Sequence, residues 1–312
     1  VIVSASRRTD IPAFYGPWFE RRIREGFALA VNPRNPEQVR RVPLTPQDVD
    51  LIVFWTKHPA PFFRCLNLLD ERGFRHLFMY TLNDYPQALE PRLPPLCERV
   101  ATFRRLAERL GPRRVVWRYD PVIISERTPP EYHAEAFGRL ARALRGSTLR
   151  VAVSLLAVYR RNGGRLEQLA RQHGMRCEDV RGEHELVGST ARALAQAARE
   201  NGMAIHACAE SANLAPYGIP AGACIDGELA SEVAGRPVIG GRDGGQRTLC
   251  RCVPSVDIGA YDTCRFGCAY CYATTSEQAV AATVARHDPG SPALVGHPDV
   301  PPERPRQFRL PL

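Results

Sequence analysis

Cys264, Cys268 and Cys271 form a C-x3-C-x2-C run, Cys264-Arg-Phe-Gly-Cys268-Ala-Tyr-Cys271. Three thiolates on one short loop can hold three corners of a cubane [4Fe-4S] cluster, whereas a ferredoxin-type cluster takes four cysteines. The fourth iron is then open to an outside ligand, as the open position of a catalytic zinc is. Gly267 allows the tight turn that points the sulfurs inward. Tyr270 sets an aromatic ring beside the third cysteine, where it can pack a nucleotide base. A structural zinc loop is the other chemistry this spacing allows.

Seven of the ten cysteines lie between Cys208 and Cys271. Cys208, Cys224, Cys250 and Cys252, just upstream of the run, could form a second site for zinc or an auxiliary iron–sulfur cluster. None has C-x2-C spacing, so free thiols in redox exchange are the rival reading. Cys65, Cys97 and Cys177 are scattered through helical segments and read as small buried apolar residues. With no export signal in the sequence, this usage points to a reducing, cytoplasmic setting and to metal or redox chemistry rather than disulfides.

These groups need a scaffold. Apolar, β-branched runs at 1–5, 51–55, 76–81, 114–119, 150–155 and 203–207 alternate with segments of helical periodicity at 14–27, 60–73, 95–110, 130–145, 162–174 and 187–201. Glycines follow most of the helices, where helices stop. Six βα units imply a parallel sheet with helical crossovers: an α/β fold, either a partial (βα)6 TIM-like barrel or an open doubly wound sheet. Residues 1–208 are assigned to this unit and 209–286 to a Gly- and Pro-containing cysteine-rich extension that closes the barrel rim and ends in a helix at 273–286. Residues 287–312 are assigned to a Pro-rich tail.

Every strand ends in polar residues, and the carboxyl ends of parallel strands share one rim, where active sites sit. Strand one leads into Arg7, Arg8 and Asp10, which are candidates for holding a cofactor or for solvating the first loop. Strand two leads into Lys57, the one lysine among 42 basic residues, a point charge that could hold a carboxylate or phosphate. Arg118 and Asp120 alternate along strand four and so share a face. They read either as catalytic groups or as an ion pair. Together with Lys57 they are the catalytic candidates.

The net charge of +9 permits nucleic-acid binding, but the arginines are dispersed rather than clustered. No apolar run is long enough to span a bilayer, so no membrane partner is expected.

The segments Ser4-Ala-Ser-Arg-Arg-Thr-Asp10-Ile-Pro, Phe54-Trp-Thr-Lys57 and Trp117-Arg-Tyr-Asp120-Pro, with the cysteine run, resemble a bacterial family described as a domain of unknown function with radical SAM-like C-terminal cysteines. The resemblance covers the chain to about residue 297. The cysteine run itself resembles the cluster motif of the radical S-adenosylmethionine (SAM) enzymes. That resemblance implies a partial (βα)6 barrel, a [4Fe-4S] cluster on Cys264, Cys268 and Cys271, SAM at the open iron with Tyr270 beside its adenine, and a flavodoxin- or ferredoxin-like reductant. The chain departs from the superfamily twice: its cysteine loop follows the sixth strand instead of the first, and no Gly-Gly-Glu follows Phe54-Trp-Thr-Lys57. The Arg-Tyr-Asp-Pro strand is weakly similar to the spore photoproduct lyases. The alternative from a different class is a non-enzymatic iron–sulfur or zinc protein that binds nucleic acid or senses redox state. A zinc hydrolase has less behind it, since His58 and His206 stand alone.

Overall fold

A computed structural model describes residues 1–177, 179–182, 184–238 and 240–301. Its centre is an eight-stranded sheet in the order β10-β1-β4-β5-β6-β7-β8-β9, with every pairing parallel. The six expected strands are β1 (Ile2–Ala5), β4 (Leu51–Thr56), β5 (His76–Thr81), β6 (Val115–Val122), β7 (Arg150–Leu155) and β8 (Ala204–Cys208). They pair in chain order. Two-residue strands β9 (Ala221–Gly222) and β10 (Val256–Asp257) extend the two edges.

Alternation along these strands separates two apolar layers. On one face Val3, Phe54, Phe78, Trp117, Val153 and Ala207 meet helices α2 (Gly16–Glu25), α3 (Phe63–Glu71), α4 (Leu96–Leu110), α5 (Pro130–Ala143) and α7 (His184–Glu200). Phe54 stacks on Phe78 at 4.8 Å, and Trp117 on Phe137 at 4.6 Å. Each such fully buried ring contributes about 1.5–3 kcal/mol. On the other face Leu51, Val53, Leu77, Met79 and Val116 are covered by residues from Cys224 to Val253, including the short helix α8 (Gly227–Ala234). Buried on both sides, these strands read as unbroken apolar runs rather than as an alternating pattern.

Two elements were not legible in the sequence. A hairpin of β2 (Phe27–Asn32) and β3 (Asn35–Pro43) stands apart from the main sheet. Its second strand is polar and bounded by prolines, and it holds one contact through the Arg41 guanidinium, 3.6 Å from the centre of the Phe27 ring. Helix α8 is short and starts at a glycine, but Asp226 caps it through the Leu229 N–H. Two further helices are α1 (Ile11–Phe14) and α6 (Arg160–His173). The expected helix at 273–286 is shorter, α9 (Glu277–Val284), because Ser276 caps it at Ala279 N–H.

The expected tail is in part a packed segment. The Trp18 indole donates to Ser291 O at 2.9 Å, Leu29 N–H donates to Pro292 O at 2.8 Å, and His287 lies edge-on to Tyr15. Ala293 and Leu294 are buried. Residues 302–312 of that expected tail lie outside the described residues. Replacing Leu294 by Ala should cost about 2–5 kcal/mol, read as a lower urea midpoint. A surface tail would give a change within about 0.5 kcal/mol.

Candidate functional site

The first strand and the cysteine loop are joined through Asp257. Its carboxylate accepts from Ser4 Oγ (3.0 Å), Ser6 Oγ (2.6 Å), Arg7 N–H (2.8 Å), Gly259 N–H (3.0 Å) and the Arg8 guanidinium at 3.0 and 3.1 Å. Burial raises its pKa, but Arg8, Ser6 and the Arg7 N–H outweigh that and leave it below the usual carboxylate range. A side chain at position 259 would bring its Cβ to 2.2 Å from Ser6 Oγ, so the close approach requires glycine. With β10 paired to β1, the chain leaves Asp257 at the carboxyl end of the sheet. The C-x3-C-x2-C loop follows seven residues later.

Gly267 turns that loop at φ +72°. From α6, Arg165 donates to the carbonyls of Cys268 (2.5 Å), Cys271 and Thr274 (2.6 Å), and Asn162 donates to the carbonyl of Tyr270 at 3.0 Å. The three thiols lie against Tyr85, Leu89, Ile123, Leu156 and Phe266. Burial pushes the Cys264 thiol well up and the Cys268 thiol to about 12, with Lys57 pulling Cys268 the other way. Cys264 and Cys268 each lie within electrostatic reach of Cys271.

Lys57 reaches the loop from the end of β4. Its ammonium contacts Glu90 Oε1 and the Tyr270 hydroxyl, both at 2.7 Å. Tyr270 in turn donates to Glu90, and Arg99 stands 3.7 Å from the other Glu90 oxygen. Removing one partner from such a buried pair generally costs about 3–5 kcal/mol. Tyr270 is therefore held from beneath, 7% exposed and edge-on to Tyr85. Its neighbour Tyr272 is 44% exposed, and its hydroxyl donates to Arg7 O at 2.7 Å.

Arg118 and Asp120 pair with each other, and Ser154 Oγ donates to Asp120. Arg118 and Arg7 both lie over the Trp55 ring, at 4.8 and 5.0 Å. Arg8 is committed to Asp257. Asp10 caps α1 at Ala13 N–H (3.0 Å) and accepts from Lys57 N–H (2.7 Å), which ties the ends of β1 and β4 together. Lys57, Tyr270 and the three loop cysteines thus form one group, and Arg7, Arg118 and Asp120 form a second beside it. His58 instead faces Glu98, and the His206 ring packs against Gly222. Cys97 is exposed, contrary to its expected burial, while Cys65 and Cys177 are buried.

Sequence reasoning missed Glu90, Arg165, Asn162, Asp257 and Tyr272. Arg165 acts on residues about a hundred positions away, and most donors to Asp257 lie about 250 positions away. A depression bounded by Glu20, Arg24, Arg64 and Glu71 lies on α2 and α3, on the helical face.

The donor set fits a [4Fe-4S] cluster: three soft thiols share one glycine-turned loop in an apolar surround with a cation beside it. Among the described residues no three His, Cys, Asp or Glu side chains already stand at the spacing of a metal's ligands. The loop thiols would therefore have to turn to close on a cluster.

A family model for a domain of unknown function, DUF1848, matches residues 2–273. The chain belongs to the DUF1848 family. The match runs from β1 through the third cysteine of the loop, so the sheet and the cysteine site both lie inside the family's domain. No curated protein matches the chain. A crystal structure described as a putative alpha-L-fucosidase from Bacteroides thetaiotaomicron aligns at 11% identity over 62% of this chain and 76% of its own. Its TM-score of 0.23 carries no argument. Among the described residues no helix is long and apolar enough to cross a membrane.

Burial pushes the Asp10 carboxyl up to about 7, against hydrogen bonds from Lys57, Thr56 and Ala13. Unfolded, it would ionise near 3.9. Between these values the folded chain keeps a proton that the unfolded chain has released. The contribution of Asp10 to stability is therefore full below about pH 4 and falls as pH rises through about 7. Urea unfolding of wild type and Asp10→Asn across this range should show the wild type losing stability relative to the variant as pH rises. A constant difference would show that Asp10 is ionised in the folded chain.

Proposed function

We propose that this DUF1848 protein is a radical SAM-type enzyme, with Cys264, Cys268 and Cys271 holding a [4Fe-4S] cluster at the carboxyl rim of a partial (βα)6 barrel. The observation that carries this reading is the loop itself. A loop carrying three thiols and no fourth cysteine is held through its carbonyls and Tyr270 by Arg165, Asn162, Lys57 and Glu90. The barrel reading is supported by helices on one face of an all-parallel sheet and a chain segment filling the other.

A cluster held by Cys264, Cys268 and Cys271 would supply one-electron chemistry, the reductive cleavage of SAM with electrons from a flavodoxin- or ferredoxin-like reductant. The chain's own residues bind and orient. Arg165 and Asn162 fix the loop's carbonyls and so the direction of its thiols. Lys57 places a positive charge beside Cys268 and favours its thiolate. Tyr270 props the loop, and the exposed ring of Tyr272 offers a face on which adenine can stack. Arg7, Arg118 and Asp120 supply fixed charge on the rim for polar groups of SAM or substrate, in the manner of a preorganised site. The cofactor carries the hard chemistry, and the protein orients it and limits water. Arg8 and Asp10 act one step back, by holding β1, β4 and β10 in place.

Protein reconstituted anaerobically with iron and sulfide, then reduced and given SAM, should release 5′-deoxyadenosine, detected by chromatography. Cys268→Ala should lose the brown chromophore and the product while keeping the wild-type far-UV spectrum. A variant that keeps its chromophore and iron would overturn the ligand assignment.

A further inference from the structure

Cys208, Cys224, Cys250 and Cys252 are not used by the function proposed above. Cys208 closes β8, Cys224 follows β9, and the other two precede β10. They meet on the inner face of the sheet beside α8, at 8, 2, 6 and 2% exposure. The sulfurs of Cys208 and Cys224 are 2.8 Å apart, and Cys250 and Cys252 lie close enough to perturb each other. The Ile225 N–H donates to Cys252 Sγ at 3.3 Å. Apolar packing alone would bring four small thiols together, but the charges around them call for more. Arg7 Nη2 and Arg118 Nε are buried with no hydrogen-bond partner. Arg7 lies within electrostatic range of Cys252 and Cys224, and Arg118 of Cys208 and Cys224. Buried guanidinium groups are costly unless an anion meets them. Asp120 answers Arg118, whereas the Arg7 guanidinium bonds the Ser255 hydroxyl, lies on the Trp55 face and has Asp257 within electrostatic range but forms no ion pair with it.

We propose that these four cysteines bind a single zinc ion as a closed tetrathiolate centre, separate from the C-x3-C-x2-C loop. Four thiolates on one divalent ion carry two net negative charges; Arg7 offsets one of them, and Arg118, already paired with Asp120, lies within electrostatic range. The spacing favours one ion over a cubane. Sulfurs around a tetrahedral zinc stand about 3.8 Å apart, from a Zn–S bond of about 2.3 Å, so the Cys208–Cys224 pair need open by only about 1 Å. Cysteine sulfurs on a cubane are held much further apart by the irons and sulfides between them. The centre would fasten the β8–β9 edge to the segment that covers the inner face, leaving no open metal position and so no catalytic one.

The test uses the full chain, purified with its metals. Elemental analysis should find about one zinc per chain besides cluster iron, and X-ray absorption at the zinc edge should show four sulfurs at about 2.3 Å. Cys252→Ser and Cys224→Ser should lose the zinc and keep the iron, whereas Cys268→Ala should lose iron and keep zinc. If the serine variants do not fold, the wild-type absorption spectrum still decides. Zinc with nitrogen or oxygen ligands, a zinc-free protein carrying a second cluster, or a Cys208–Cys224 disulfide found by peptide mass mapping would each overturn the proposal.

Discussion

One partly buried carboxylate ties the first strand to the segment that leads into the cysteine loop. Asp257 lies about 250 residues from Ser4, Ser6, Arg7 and Arg8, yet it accepts from all four and from nearby Gly259 at once. A carboxylate with that many donors stays ionised even when buried, and its removal would strand Arg8 inside the protein. Its consequence is topological. By adding β10 beside β1 it starts the cysteine loop at the carboxyl rim, although that loop follows the last βα unit. A loop entering from the far end of the chain thus reaches the rim on which the first strand ends.

The second constraint is the double burial of the sheet. Helices cover one face and residues from Cys224 to Val253 the other, so polar groups on that second face are left to find one another. Arg118 pairs with Asp120, Ser154 joins them, and Trp55 lies between two guanidinium groups as an apolar spacer with a negative face. Lys57, Glu90, Arg99 and Tyr270 solve the same problem at the loop. These groups are positioned before any ligand arrives, which is what a site needs if it is to bind without large rearrangement.

The sheet was largely legible in the sequence because six doubly buried strands leave unbroken β-branched and aromatic runs, and glycines at positive φ end the helices between them, as at Gly26 and Gly111. The cysteine run could be singled out because its three thiols lie within eight adjacent residues. The hairpin at 27–43, α8 and the docking of residues 287–296 were not, since each depends on contacts distant in sequence: Arg41 on Phe27, α8 against β4 and β5, and Trp18 on Ser291. The pairing of Arg118 with Asp120 could be anticipated from a two-residue strand offset. That Arg8 would be taken up by Asp257, and Asp10 by a helix cap and Lys57 N–H, could not.

The central claim is that the cluster on Cys264, Cys268 and Cys271 has an iron open to SAM. The most direct measurement is the electron paramagnetic resonance spectrum of the reduced, reconstituted protein with and without SAM. The account predicts a [4Fe-4S] signal whose g-values shift when SAM is added. A cluster signal unchanged by SAM would contradict it and favour a protein that carries its cluster for binding or redox sensing.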